Sequence, residues 1–432
     1  MNRPLLIGVL ILIAFGSGFL KSFRHHPGQS FQVSFHPSSV TQEPRFETDF
    51  ASSKLHIETH AASLVELRDG RLRAFWFSGS REGASDVQIH SAVFDPRKNK
   101  WSAEQVVATR QDTEKSVLRY VSKLGNPVCG RAPDGNLWLF YVTVSVGGWS
   151  GSSITMKTSS DEGQTWSAAR RIITTPLLNV STLLKGTPFF YSDGTMGLPV
   201  YQEFISKFGE LLHLDKTGKV IDLQRLSEGN DDGLQPVMLT KSADEAQVLM
   251  RNESDKRTRQ TISVSTRDGG RNWSRPVHLS LLNPNSALSA IVLPDQRMLA
   301  VVNNQVRQGI SKGRDALALM ISADGGSSWK MVYRLEDQLA ARNNPLDPKL
   351  YFKVVKRLAR KTVSGMTLSD ADTHARSAES AMCKGDDCGF EFSYPYLIQM
   401  KNGDFHLVYT WNRGFIKHIS FNLAWIDHRL TK

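Results

Sequence analysis

The chain has 432 residues, 40% of them apolar, which is enough to bury a sizeable core without help from disulfides or metals and excludes a disordered chain. Its formal charge of +11 points to anionic partners: nucleic acid, an anionic membrane surface or acidic glycans.

At the start, Asn2 and Arg3 precede an apolar run from Leu5 to Leu20, which Lys21, Arg24, His25 and His26 close. This is a signal peptide or a signal-anchor. The run is shorter than the roughly 20 residues of a comfortable span, which favours a signal peptide. The absence of a small-x-small cleavage site before Lys21 favours an uncleaved anchor. Residues 1–24 are assigned to this segment, 25–50 to a linker and 51–432 to one folded body, which is exported on either reading. Export removes nucleic acid as a partner and leaves membranes and acidic sugars. Of the three cysteines, Cys383 and Cys388 flank a polar Lys-Gly-Asp-Asp turn, as a small disulfide loop or as two free thiols, and Cys129 stands alone beside Pro127.

The strongest pattern is an internal repeat, Ser/Thr-x-Asp-x-Gly-x-x-Trp, at Ser159–Trp166, Thr266–Trp273 and Ser322–Trp329. Each copy follows a run with strand character, and its Asp-x-Gly core is hairpin chemistry. The hydroxyl and carboxylate satisfy turn amides, Gly takes positive φ, and Trp packs back beneath the sheet. The last two copies lie about 50 residues apart and the first two about twice that, the spacing of four-stranded propeller blades with one turn degenerate. A worn copy runs from Phe94-Asp95-Pro96 to Trp101. The expected fold is therefore all-β, a closed β-propeller with an N-terminal hydrophobic helix, and the family resemblance that these boxes carry implies a six-bladed β-propeller. A helical insert at about 335–390 precedes the last blade. Within it, Tyr351–Lys361 is basic and amphipathic, either a solvated cover on the rim or an element that touches anionic lipid or a membrane partner.

These three boxes resemble the Asp-box (bacterial neuraminidase) repeats of the sialidase superfamily, and the resemblance extends from His56 to Asp427. The box marks the fold and not the chemistry, because it lies on outer turns. Sialidases hold a sugar carboxylate with clustered arginines, attack with a tyrosine activated by a glutamate, and protonate the leaving oxygen with an aspartic acid. The resemblance implies Arg81 on the carboxylate side of the site and Asp86 as general acid/base, against the alternative of a loop ion pair. It implies Arg251 and Arg314 as further arginines, each in a strand context before a box, with pairing to Glu253 or Asp315 as the structural alternative. Tyr394, in Glu391-Phe-Ser-Tyr394-Pro-Tyr396, matches the nucleophile segment, which continues to Arg413, a further substrate-binding residue.

The sequence departs from the family twice. His60 stands where the family's first arginine belongs, as a hydrogen-bond donor or as a structural residue. Gln235-Pro-Val-Met238 occupies the blade start that should carry the activating glutamate, which leaves Glu203 and Glu391 as candidates. With these departures the chain also resembles the sialidase-like subunit of bacterial Kdo hydrolases. That implies an acidic glycan or lipopolysaccharide substrate with a terminal α-ketosidic Kdo or sialic acid, a retaining mechanism and a membrane partner subunit. The tethered propeller would sit in the periplasm on the bacterial inner membrane. The chemistry needs neither metal nor cofactor. The rival is a non-catalytic propeller that binds acidic glycans or scaffolds a membrane complex.

Overall fold

The computed structural model describes residues 3–22, 29–33, 35–36, 43–52, 58–174, 179, 181–227, 233–253, 259–284, 286–305, 313–342 and 344–431. Six antiparallel sheets of four or five strands follow one another along the chain and form a six-bladed propeller. Blade 1 begins with Glu58–Glu66, blade 2 with Lys123–Arg131, blade 3 with Leu183–Leu184 and Phe189–Phe190, blade 4 with Gly233–Thr240, blade 5 with Ser289–Val292 and blade 6 with Phe392–Gln399. These first strands line the axis. The ring closes through Phe46–Phe50, which pairs with Phe415–Phe421 as the outer strand of blade 6. A sheet sandwiched between two neighbours has no solvent face, so its middle strands read as unbroken apolar runs: every residue of Leu137–Val144, Ala316–Ser322 and Phe405–Trp411 is buried.

The Asp-boxes occupy the turns between the third and fourth strands of blades 2, 4 and 5. In the first, Asp161 accepts from Ser159 Oγ at 2.7 Å and from the amide and hydroxyl of Thr165 at 2.9 and 2.6 Å, while the Gly163 amide donates to Ser159 Oγ at 2.8 Å. The third repeats this around Asp324, with Ser328 in place of Thr165. These donors hold both carboxyls down at about 2. Blade 3 carries no box, which accounts for the doubled spacing.

The boxes and the turns between first and second strands lie at one end of the propeller, the far end. Residues 29–33, 35 and 36 run along it: the Gln29 amide donates to Gly269 O of the second box, the Gln32 amide to Phe190 O, and Gln399 Nε2 to His36 O. Phe31, 3% exposed, stacks on Tyr191 at 5.7 Å. A cavity of about 920 Å³ lies at this end, lined partly by Gln32, Val33, Phe35 and His36. The expected N-terminal helix spans Arg3–Ser22 with Leu5–Leu12 largely exposed. No helix among the described residues is long and apolar enough to cross a membrane. The expected insert contains helices Pro348–Thr362 and Leu368–Met382, followed by a small hairpin that the Cys383–Cys388 disulfide closes. Cys129 is a buried free thiol.

Lys185, in blade 3, is the buried cation of the axis. Its ammonium donates to the carbonyls of Ala62 in blade 1 at 3.1 Å and Pro395 in blade 6 at 3.5 Å, and lies 4.7 Å over the Tyr396 ring. Burial pulls its pKa down to about 7. The unfolded chain keeps that proton to about pH 10.4, so between those values it binds more protons than the folded one. Stability from this group therefore rises with pH, by at most about 1.4 kcal/mol per unit, and is lost as pH falls to 7. Denaturant midpoints of wild type and Lys185→Met, measured from pH 7 to 10, should diverge in favour of wild type as pH rises; parallel curves would contradict this reading.

Candidate functional site

Four of the first strands share one irregularity. Their pairing with the second strand shifts register between His60 and Ser63, Gly125 and Val128, Leu234 and Val237, and Ser393 and Tyr396. At each shift one residue takes positive φ: Ala61 at 55°, Asn126 at 38°, Gln235 at 54° and Tyr394 at 55°. In three of them the next residue is proline, which a ladder position would reject and a bulge accepts. The bulge re-aims side chains at the axis, and the conformation is strained for a side chain as large as tyrosine.

These bulges and the loops between second and third strands enclose a cavity of about 500 Å³ at the end opposite the boxes. Tyr394, Gln235, Asn126 and His60 enter it from the bulges. Arg251, Arg314, Arg413, Glu82 and Glu203 come from the second strands and the loops beyond them, with Glu58, Trp149, Tyr201 and Glu391 beside them. Met382 and Lys384, from the insert, complete the lining. Among the described residues no cluster of His, Cys, Asp and Glu has the form of a metal site.

Each arginine already has a carboxylate. Arg413, on a left-handed turn with Asn412, donates to Glu391 at 3.0 Å, Glu82 at 3.0 Å and Glu58 at 3.3 Å. Arg314 donates to Glu391 at 2.9 Å and Arg251 to Glu253 at 2.7 Å. Asn412 locks the arrangement by donating its amide to Glu391 O at 2.6 Å and accepting the Glu391 amide at 3.1 Å. Burial opposes ionisation of Glu391, but Arg314, Arg413 and a hydroxyl donor, Ser393 Oγ at 2.6 Å, win and hold its carboxyl far below the usual range. Glu391 is thus a fixed anion. Glu203 is the opposite case: burial outweighs the nearby Arg251 and raises its pKa, whereas at Glu82 burial is outweighed by His60 and Arg413, which push its pKa down.

Around Tyr394, Gln235 Nε2 donates to the phenol oxygen at 3.2 Å, and Arg251 donates to Gln235 Oε1 at 3.3 Å. The His60 ring lies 4.4 Å from the Tyr394 ring. Burial and Arg413 depress the His60 pKa to about 4, so the imidazole is neutral, and its buried Nδ1 has no hydrogen-bond partner among the described residues. The Arg314 guanidinium stands over the Tyr394 ring at 5.6 Å.

Seven of the nine residues picked from the sequence therefore meet here: His60, Glu203, Arg251, Arg314, Glu391, Tyr394 and Arg413. Arg81 and Asp86 do not line the cavity. Both are exposed on the loop after Gly79, where Asp86 accepts from Ser80 N at 3.0 Å and Ser80 Oγ at 2.9 Å. The loop sends Glu82 inward between them. Asn126, Tyr201, Glu58, Glu82 and Trp149 escaped sequence reasoning, as did the contact of Gln235 with the phenol. The recurrence of Asn126-Pro127, Gln235-Pro236 and Tyr394-Pro395 was the available signal. Replacing Arg413 by Met removes the ion pair of Glu82 and Glu58 and leaves Glu391 with Arg314 alone, and the expected loss is about 3–5 kcal/mol of unfolding free energy. Urea unfolding measures it; a change below about 1 kcal/mol would show that the network is not needed for stability.

Solved structures resemble this propeller throughout. A Hadza microbial sialidase matches with a TM-score of 0.60 and 15% identity over 85% of this chain, which spans 66% of that one. The NanB sialidase of Streptococcus pneumoniae matches at 0.57 and 11% over 91% of this chain and 71% of that one. An intramolecular trans-sialidase of Ruminococcus gnavus matches at 0.56 and 13% over 87% and 96%. Such identities speak for the fold alone. No curated protein sequence matches the chain. The family model described as the BNR repeat-like domain matches residues 70–407. With six blades, three intact boxes and that match over most of its length, the chain belongs to the BNR repeat-like family of sialidase-like β-propellers.

Proposed function

We propose that the cavity is the active site of an exo-glycosidase that removes a terminal α-ketosidically linked acidic sugar, Kdo or sialic acid, from an envelope glycolipid or glycan. One observation carries this: a phenol, a carboxyl with raised pKa and three arginines converge from four blades in one cavity of about 500 Å³. The sialidases among the similar structures supply the reaction class. Arg251 and Arg314 share their charge between resident carboxylates and the carboxylate of the sugar. Tyr394 attacks the anomeric carbon, because a carboxylate nucleophile would be repelled by the substrate's own charge. His60, neutral and unpartnered at Nδ1 among the described residues, accepts the phenol proton and returns it to the Tyr394 oxygen when water displaces the adduct. Glu203 donates its proton to the departing oxygen as the ketosidic bond breaks. It then takes one from the water that resolves the tyrosyl adduct, with retention. This places on Glu203 the work that the sequence assigned to Asp86. The disulfide and the apolar start support export and a periplasmic, tethered propeller; a membrane partner subunit belongs to the same proposal.

A second reading has its own observation. Gln235, and not a carboxylate, contacts the phenol, and every arginine is already paired, as in a propeller that binds acidic glycans without cleaving them.

Released sugar from Kdo-terminated lipopolysaccharide and from sialyllactose separates the two. Wild type should release sugar, and Tyr394→Phe and Glu203→Gln should each lower kcat about 100-fold or more. Because the acid must be protonated, kcat/KM should fall as pH rises through the Glu203 pKa, and Glu203→Gln should lose that limb. Loss of the limb in Asp86→Asn instead would return the acid to the loop. Glycan binding by wild type without release would leave the binding reading.

A further inference from the structure

Helix Pro348–Thr362 carries its apolar side inward, with Tyr351, Val355, Ala359 and Thr362 buried, and a basic stripe outward. Along that stripe Lys349 and Lys353, Lys353 and Arg357, Lys356 and Arg360, and Arg357 and Lys361 are four like-charged pairs at i,i+4 spacing. Each such pair destabilises an isolated helix. Lys356 is relieved by Asp372, at 2.6 Å on the second insert helix. Lys353, Arg357, Arg360 and Lys361 have no ion pair among the described residues. All four are exposed. With Lys356, Gly365 and Met366 they line a cleft of about 490 Å³, so five of its seven lining residues are cations and none is acidic. Arg360 and Lys361 lie in the last helical turn, where they offset the helix's own carbonyl ends. Among the described residues the charge beyond that has no counter-ion.

We propose that this cleft binds clustered phosphate groups. Phosphate fits better than a single carboxylate because several guanidinium and ammonium groups converge on one concave volume. Each phosphate offers multiple charged oxygens to share among them. The insert starts and ends at the cavity end of the propeller, and its second helix delivers Met382 to the cavity lining. The insert that carries the cleft therefore also supplies part of the cavity wall. The binding claim itself does not depend on hydrolysis.

Binding of inorganic pyrophosphate to the full chain by calorimetry, and co-sedimentation with phosphatidylcholine vesicles with and without phosphatidylglycerol, test it. The triple variant Lys353→Gln/Arg357→Gln/Arg360→Gln keeps the exposed surface polar, removes the like-charged pairs and should melt no lower than wild type. It should bind the phosphate probe more weakly by roughly fivefold per cation removed. A loss confined to pyrophosphate identifies a soluble phosphate ligand. A loss confined to the phosphatidylglycerol-dependent increment identifies a lipid headgroup, and neutral vesicles correct for the apolar N-terminal helix. Either supports the cleft. The proposal is overturned if wild type and variant bind both probes alike. It is also overturned if Lys98→Gln/Lys100→Gln/Lys216→Gln, which removes the same charge from other exposed turns, loses as much.

Discussion

The burial of Arg413 against Glu391, Glu82 and Glu58 is the interaction on which the cavity depends. Buried charges are tolerated only when paired and hydrogen-bonded. Here one guanidinium from blade 6 ties the entry of blade 1, the loop after Gly79 and the start of blade 6 into a single electrostatic unit. That seam is where the ring closes, since Phe46–Phe50 joins blade 6 immediately before blade 1 begins. Closure of the fold and assembly of the site are thus the same event, and Tyr394 sits beside it.

Backbone geometry does the rest. A first strand with perfect pairing would alternate its side chains between the two faces of its own sheet and send few along the axis. The bulges at Ala61, Asn126, Gln235 and Tyr394 break that alternation where a side chain is needed in the cavity. Lys185 then donates to the carbonyls of Ala62 and Pro395 that two of the bulges leave over. The far end is finished differently, with box turns and the docked residues 29–33, 35 and 36. The cavity and the box turns therefore occupy opposite ends of the propeller.

Much of this was legible in the sequence. The boxes gave the fold because their hydroxyl, carboxylate, glycine and tryptophan form a local, self-satisfying turn that needs no tertiary context. The arginines and Tyr394 were legible because segment order along a propeller maps onto blade order. Register within a loop was not. Arg81 and Glu82 differ by one residue, and only the turn after Gly79 decides which points inward. Pairing could be read only where it is local: Glu253, two residues beyond Arg251, was the foreseen partner, whereas Glu58 and Glu82 of blade 1 neutralise Arg413 of blade 6, a contact that no sequence spacing marks. Gln235 was noticed as a missing acid, while its contact with the Tyr394 hydroxyl emerged only from the bulged geometry.

The central claim is that the cavity recognises a sugar acid through its arginines and presents the anomeric carbon to Tyr394. A crystal structure with a non-hydrolysable 2,3-dehydro analogue of sialic acid or Kdo tests it most directly. The account predicts the analogue's carboxylate against Arg251 and Arg314 and its anomeric carbon over the Tyr394 oxygen. An analogue seated at the far end, or in the cavity with its carboxylate turned away from the arginines, would contradict it.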